Sequence, residues 1–419
     1  VSTTIFASGL ATLAFILVTG KKIPLYYGSS FSYIAAIASI MSADAFAGLS
    51  LNEKISIAQF GIIMSGFVSI AAGMVIRKSG KQFIDKVLPA TVTGSIAIII
   101  GLSLAANAMG NASAIPAGIA EAMQSNASSF AWIIAIVTLI STILYSVYLK
   151  GKLSQLPILF GLLTGYFTAV VIGMMTGIPF VSFNTITSSS ILTLPIFTFP
   201  KPSLAAVIAI MPIAIATIPE STAHIYQLDI YVNNLAKRKG SKKKYDLENK
   251  LGLNLIGDGI GDIVSGLIGG PAGTNYGENI SAMAISKNFS VAVLMAAAVI
   301  TMIISMFTPL INIIYSIPTA VIGGLSIYLF GVIAAQGITI MMDRKVDMFS
   351  SKNLAIIAVI LIVGLGGSFQ FEGGMIPMFG TQLPAIATAA IVGISLNLML
   401  SFGDKFVPAE VTGNDEIAS

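Results

Sequence analysis

The chain has 419 residues, 55% of them apolar and only 10% charged, and its mean hydropathy is +0.91. Soluble domains carry about 25% charged residues, so the composition excludes water as the main solvent and leaves a membrane-embedded protein, with 40 glycines suited to close helix packing. The absence of cysteine excludes disulfides, thiolate metal sites and cysteine nucleophiles, and the net charge of +4 is a topology signal with no nucleic-acid motif beside it.

A hydrocarbon core of about 30 Å is crossed by roughly 20 apolar residues in a helix. On that measure the sequence predicts thirteen spans, near 3–20, 31–42, 56–76, 88–108, 129–149, 155–178, 203–227, 251–268, 277–286, 289–311, 318–336, 353–367 and 384–402. The first lacks a basic leader and a cleavage site, so it reads as a span and not as a signal peptide. The second and ninth are too short to cross as whole helices, and each follows a run of Gly, Pro, Ser and Tyr.

Alternating spans place Lys21, Lys22, Arg77, Lys78, Lys81, Lys86, Lys150, Lys152, the cluster Lys237 to Lys244, Lys250, Lys287, Arg344, Lys345, Lys352 and Lys405 on one face. Only Lys54 and Lys201 fall opposite, so 20 of 22 basic residues share a side. The positive-inside rule assigns that side, with the C-terminus, to the cytoplasm. The run K-R-K-G-S-K-K-K at 237–244 is read as a solvated loop on that face.

The sequence also repeats. L-P-A-T-V-T-G-S-I at 88–96 is echoed by I-P-T-A-V-I-G-G-L at 317–325, and Y-G-S-S at 27–30 by Y-G-E-N at 276–279. Seven spans separate each pair, and an odd number makes the copies inverted in the membrane. Inverted repeats with broken helices at matching positions mark secondary transporters. Seven plus seven requires fourteen spans, which leads to the expectation of a further helix before Val1.

An ionisable side chain at mid-membrane costs about 2.5–3.5 kcal/mol even on lenient scales, so each one is a functional candidate. Glu220 and His224 lie four apart in I-P-E-S-T-A-H-I-Y of the seventh span, on one helix face. Glu278 lies in P-A-G-T-N-Y-G-E-N at the start of the ninth, and Asp258 and Asp262 lie in I-G-D-G-I-G-D of the eighth. Ionised carboxylates only accept hydrogen bonds, so Glu220 and Glu278 suit a ligand bearing ring N–H donors. At about 1.5–3 kcal/mol per charge-assisted bond, two would supply much of a micromolar affinity of about 8 kcal/mol.

Backbone N–H groups at the two broken helix starts, near Phe31 and Gly277, face inward as donors for carbonyl oxygens, and Phe31 can also stack on a flat ring. Donors and acceptors together describe a planar imide such as uracil better than a simple anion. The alternative is that the acids pair between helices for structural reasons. His224, the only histidine, suits a proton relay near neutral pH or serves as a packing residue. One histidine without cysteine makes a poor metal site. Pro219 leaves a carbonyl one turn earlier without its donor; Asp258 reads as structural, and Asp262 is left open.

At Y-G-E-N-I, with Glu-x-x-x-His one repeat element earlier, the sequence resembles the bacterial uracil permeases of the nucleobase–cation symporter-2 (nucleobase–ascorbate transporter) family. The similarity runs through G-K-K-I-P-L-Y-Y-G-S-S-F-S-Y-I, T-N-Y-G-E-N-I-S-A-M-A-I, I-P-T-A-V-I-G-G-L-S and K-V-D at 345–347. The resemblance implies an all-α polytopic protein, a seven-plus-seven inverted repeat with two short extended segments before half-helices at mid-membrane. It implies a core domain drawn from 1–108 (with the start of the gate) and 203–316, and a gate domain from 109–202 and 317–419. By position, Glu220 and Glu278 match the family's substrate glutamates and His224 its proton-linked histidine. Phe31, Gly277 and Tyr276 match positions that offer backbone or stacking contacts. Pro219 and Asp262 depart from the uracil branch.

The sequence therefore leads to the expectation of a transporter and not an enzyme, moving a pyrimidine base inward with a proton, without cofactor or metal. The proton would be the coupling ion, carried by His224 and Glu220. Its partners would be a small nucleobase, the lipid bilayer and a second copy in a homodimer, with no nucleic acid. It would reside in the plasma membrane, the inner membrane of a bacterium. Rival readings are a purine or xanthine carrier of the same fold, an anion carrier of SulP-type architecture, a membrane hydrolase and a passive channel.

Overall fold

The structure, a computed structural model, describes residues 1–42, 46–80, 86–119, 121–181, 190–378 and 380–403, without the side chains of Ser42, Glu121, Ala122, Lys152 and Glu278. Lys81, Lys405 and the tail after Gly403 lie outside the described residues. Among those described, 9 helices are long and apolar enough to cross a membrane. The fold is an all-helical inverted-repeat bundle interrupted by short extended segments.

Helix α1 (Ser2–Val18) leads to strand β1 (Tyr27–Ser29), then through a 3-10 turn to the half-helix α2 (Ile34–Ser42). Helix α3 (Leu51–Ser79) opens on a capping box in which the Ser50 hydroxyl accepts the Glu53 N–H while Glu53 reaches back to Ser50, satisfying donors a helix start leaves open. Pro89 caps α4 (Ala90–Ser103), which continues into α5 (Ala105–Ala112); α6 (Glu121–Tyr148) and α7 (Pro157–Thr176) follow. The second half runs through α8 (Leu204–Ile210), α9 (Ile213–Arg238), α10 (Leu251–Ile268), strand β2 (Gly273–Asn275), the half-helix α11 (Gly277–Ser286) and α12 (Val291–Ile304). It continues with the short α13 (Thr308–Tyr315), then α14 (Thr319–Asp343), capped by Pro318 as Pro89 caps α4.

The helices fall into two packing groups. Helix α10 lies along α3 and α1, and α1 along α12; separately, α14 packs on α4, α5 and α6, and α6 on α7. The α3–α10 contact is close because glycines face backbone: a β-carbon at Gly66 would lie 2.6 Å from the Gly259 carbonyl oxygen, and one at Gly73 2.5 Å from that of Gly252. The descending pairing shows that the helices run antiparallel. On α6, Ile133, Ile136, Ile140, Leu144 and Val147 are all exposed, an uncharged stripe at helical spacing that fits contact with lipid.

Strands β1 and β2 form an antiparallel pair, Tyr27 opposite Asn275, Gly28 opposite Thr274 and Ser29 opposite Gly273. Antiparallel pairing means that the chain enters the crossing from opposite directions, so the half-helices that follow are inverted. The Pro89 and Pro318 repeats occupy equal places, but the tetrapeptides do not. Tyr27 lies in a strand, whereas Tyr276 caps α11; by structure, Phe31 matches Gly277.

Several boundaries differ from the sequence reading. The seventh span breaks at Met211 and Pro212, and α9 runs on to Arg238, where Lys237 and Arg238 complement the negative helix end. The tenth span ends at Ile304 instead of 311, and Pro309 helps to start a new helix. Helix α15 (Ser351–Leu361) passes through a π-turn at Ile362–Gly366 into α16 (Gly367–Gln370). A hairpin that the sequence reading did not foresee, β3 (Met375–Met378) with β4 (Thr381–Pro384), precedes α17 (Ala385–Gly403).

Candidate functional site

The strand crossing organises the site. Its ladder is extended on both sides, by Ser30 N–H donating to Ala272 O and Tyr276 N–H to Tyr26 O, each at 3.0 Å. The chain then turns helical at once on both arms. Ser30 accepts the Ser32 N–H in the first arm, whereas Tyr276 offers no side-chain cap to α11. The first N–H groups of α11 point out of the helix start, in its positive field.

Helix α9 brings Glu220 and His224 to these arms. Ser32 Oγ donates to a Glu220 carboxylate oxygen at 3.4 Å. The imidazole of His224 lies against Gly277: a β-carbon there would sit 2.9 Å from Nε2, so this close approach requires glycine. Pro219 lies buried inside α9, one residue before Glu220, and the helix continues through it. Glu278 falls in the first turn of α11, next to Gly277; its side chain lies outside the described residues.

The remaining expected residues are also close by. Tyr276 bonds to Ser29 across the strands, O to O 3.2 Å, and its ring fills the space beside Gly28. The ring of Phe31 meets Phe330 of α14 edge to face, with centroids 5.2 Å apart, in a small apolar cluster with Leu104 and Ala108. One face of the site thus rests on an aromatic pair between the two packing groups.

These residues wall a cavity of about 1000 Å³. At its inner end lie Ser29, Phe31, Glu220, His224, Tyr276 and Gly277; further out it is lined by Tyr226, Tyr231, Gln336, Asp343 and Arg344. From Glu220 to Tyr231 is eleven residues of α9, about 16 Å at 1.5 Å per residue. The cavity therefore runs toward the face that carries the basic residues. At that end the Arg344 guanidinium stacks 4.6 Å from the Tyr226 ring centroid.

Behind the crossing lies a second set of polar groups. Asp258 accepts Ser221 Oγ at 2.7 Å, Asn275 Nδ2 at 2.6 Å and Asn254 Nδ2 at 3.3 Å. Asp262 accepts the Gly273 N–H at 2.8 Å and the Tyr27 hydroxyl. Sequence reasoning missed Tyr27 and Asn275. The available signal was Asp258 and Asp262 one turn apart on α10, which need donors somewhere when buried. No group of three or more metal-ligating side chains occurs among the described residues.

Residues 1–373 match the model of a family described as the Permease family. The chain is 35% identical over 407 residues to the uracil permease of Bacillus caldolyticus, covering 95% of this chain and 85% of that protein. Against the uracil permease of Bacillus subtilis it is 35% identical over 402 residues, covering 94% and 85%. Among solved structures, murine Solute Carrier 26 family member A9, an anion transporter in the inward-facing state, shares the fold. The TM-score is 0.58 at 11% identity, over 96% of this chain and 67% of that one.

Proposed function

This chain belongs to the permease family that includes the bacterial uracil permeases, and on that premise we propose that it carries uracil or a related pyrimidine base into the cell together with a proton. It is a multi-pass membrane transporter; its relatives are permeases, which move a solute without transforming it. The reading rests above all on one juxtaposition: an acceptor carboxylate, Glu220, and the N-terminus of α11 at Gly277 line the same cavity. A planar imide needs both, acceptors for its ring N–H groups and donors for its carbonyl oxygens. In this scheme Glu220 and Glu278 take the ring N–H groups, the backbone at Phe31 and Gly277 takes the carbonyls, and Tyr276 bounds the ring.

His224, in contact with Gly277, exchanges the coupled proton with Glu220. Transport proceeds by alternating access. The group built on α1, α3, α10 and α12 moves as the core against the group built on α14 and the helices packed on it. In the conformation described, the cavity opens to the basic face, taken as the cytoplasmic one of a bacterial plasma membrane. The Solute Carrier 26 likeness concerns fold only, and the acceptor carboxylate of Glu220 in the cavity wall disfavours an anionic solute.

Equilibrium binding of radiolabelled uracil to the purified protein, competed by thymine, xanthine and sulfate, tests the substrate class. Displacement by uracil but not by xanthine or sulfate is expected. Stronger displacement by xanthine would replace the pyrimidine with a purine, and displacement by sulfate alone would move the protein to the anion carriers.

A further inference from the structure

Asp262 takes no part in the scheme above, yet it ties both strands of the crossing to α10. It is 2% exposed and Tyr27 is 1% exposed. A single oxygen, Oδ1, accepts both the backbone N–H of Gly273, the first residue of β2, and the hydroxyl of Tyr27, the first residue of β1. In the ladder Tyr27 faces Asn275 and Gly273 faces Ser29, so the two attachments come from opposite ends of the pair. The carboxylate is a diagonal brace that resists both slide and tilt of one strand on the other.

The seating of the Tyr27 ring supports this role. A β-carbon at Gly261 would lie 2.6 Å from the ring, and one at Gly273 would also collide with it, so glycines on α10 and on β2 make its slot. The Tyr27 backbone is fixed as well: its N–H donates to Thr12 Oγ1 at 3.1 Å and its carbonyl accepts Ser8 Oγ at 2.7 Å. Neither Tyr27 nor Asp262 lines the cavity, whereas Ser29, Ser30, Thr274, Asn275 and Gly277 do. Both ligand-facing helix starts follow the strands within two residues, Phe31 after Ser29 and Gly277 after Asn275. A slip of the ladder would displace both sets of backbone donors together.

We propose that Tyr27 and Asp262 form a positioning pair, which sets the affinity for the transported base by bracing the two half-helix starts without touching the ligand. For the identity of that base the proposal rests on the uracil reading. The buried oxygen serves two donors at once, so loss of either changes the placement of the other strand.

The test compares the full chain with Tyr27→Phe, Asp262→Asn and the double variant, by radiolabelled uracil binding and by melting temperature in detergent. Each single change is expected to raise Kd about three- to tenfold, the worth of one net hydrogen bond. The double variant should be no worse than the weaker single one, because the residues act as a unit. Melting should also fall somewhat, since a buried group loses its partner, so binding is read well below the lowest melting temperature. A second readout is independent of substrate. The chain has no cysteine, so Thr274→Cys reports the crossing alone, and a small thiol reagent should label it several-fold faster when Tyr27→Phe is added. Unchanged Kd in both single variants, additive losses, or an unaltered thiol-labelling rate when Tyr27→Phe is added would overturn the pair as a positioning device. If the parent protein binds no uracil, the substrate reading falls and labelling alone decides, an unchanged rate refuting the brace.

Discussion

Replacing Gly277 by alanine adds one methyl group at the most crowded point of the site. Its φ is not among the positive values, so alanine is conformationally acceptable there and the cost comes from contact alone. The new β-carbon would lie 2.9 Å from His224 Nε2 and 3.3 Å from Cδ2, where an ordinary contact is about 3.5–4.0 Å. The imidazole must therefore retreat by roughly 0.6 Å or more. Pushing a packed side chain off its rotamer costs about 0.5–1.5 kcal/mol, so Gly277→Ala should weaken uracil binding about fivefold, near 1 kcal/mol. The assay is equilibrium binding for the parent, Gly277→Ala, His224→Ala and the double variant. Removing the imidazole removes the collision, so the methyl group should add almost nothing in the His224→Ala background. Parent-like binding by Gly277→Ala, or an equal loss in both backgrounds, would show that this contact does not shape the site.

Other substitutions separate ligand chemistry from architecture. Glu220→Gln exchanges a pure acceptor for an amide and should cost about 1.5–3 kcal/mol of uracil affinity, a loss of roughly 10- to 150-fold, with melting in detergent unchanged; retained affinity would remove Glu220 from the ligand. Asn275→Ala takes one donor from buried Asp258 and should destabilise the protein by about 1–3 kcal/mol, read as a lower melting temperature. Gly66→Val forces side-chain atoms into the Gly259 backbone and should cost about 1–3 kcal/mol by overpacking; unaltered melting would contradict the close α3–α10 packing.

The membrane bundle and the inverted repeat were legible because each rests on a property the bilayer imposes on sequence: apolar length and broken helices. The proline-led repeats at 88 and 317 start equivalent helices because proline suits a helix entrance and disrupts an interior. Pro219 and Met211–Pro212 were harder. Neighbouring helices decide whether a proline ends a span, and here α9 continues through the first and begins after the second. The β3–β4 hairpin has no strong turn signal beyond Gly380, which has a positive φ of 75°. Glu220 and His224 stood out as ionisable groups inside a span, and Phe31 and Gly277 as broken helix starts; with Tyr276 they line one cavity. The partners of Asp258 and Asp262 did not, because they are set by which residues of distant segments the fold brings to one turn of α10.

The decisive measurement is uptake of radiolabelled uracil into proteoliposomes under an imposed pH gradient, acid outside, with Glu220→Gln as the control. The account requires accumulation above the external concentration that collapses when a protonophore is added and that is absent from the Glu220→Gln protein. Uracil that only equilibrates across the bilayer, indifferent to the gradient, or accumulation that survives loss of Glu220, would contradict proton-coupled transport at this site.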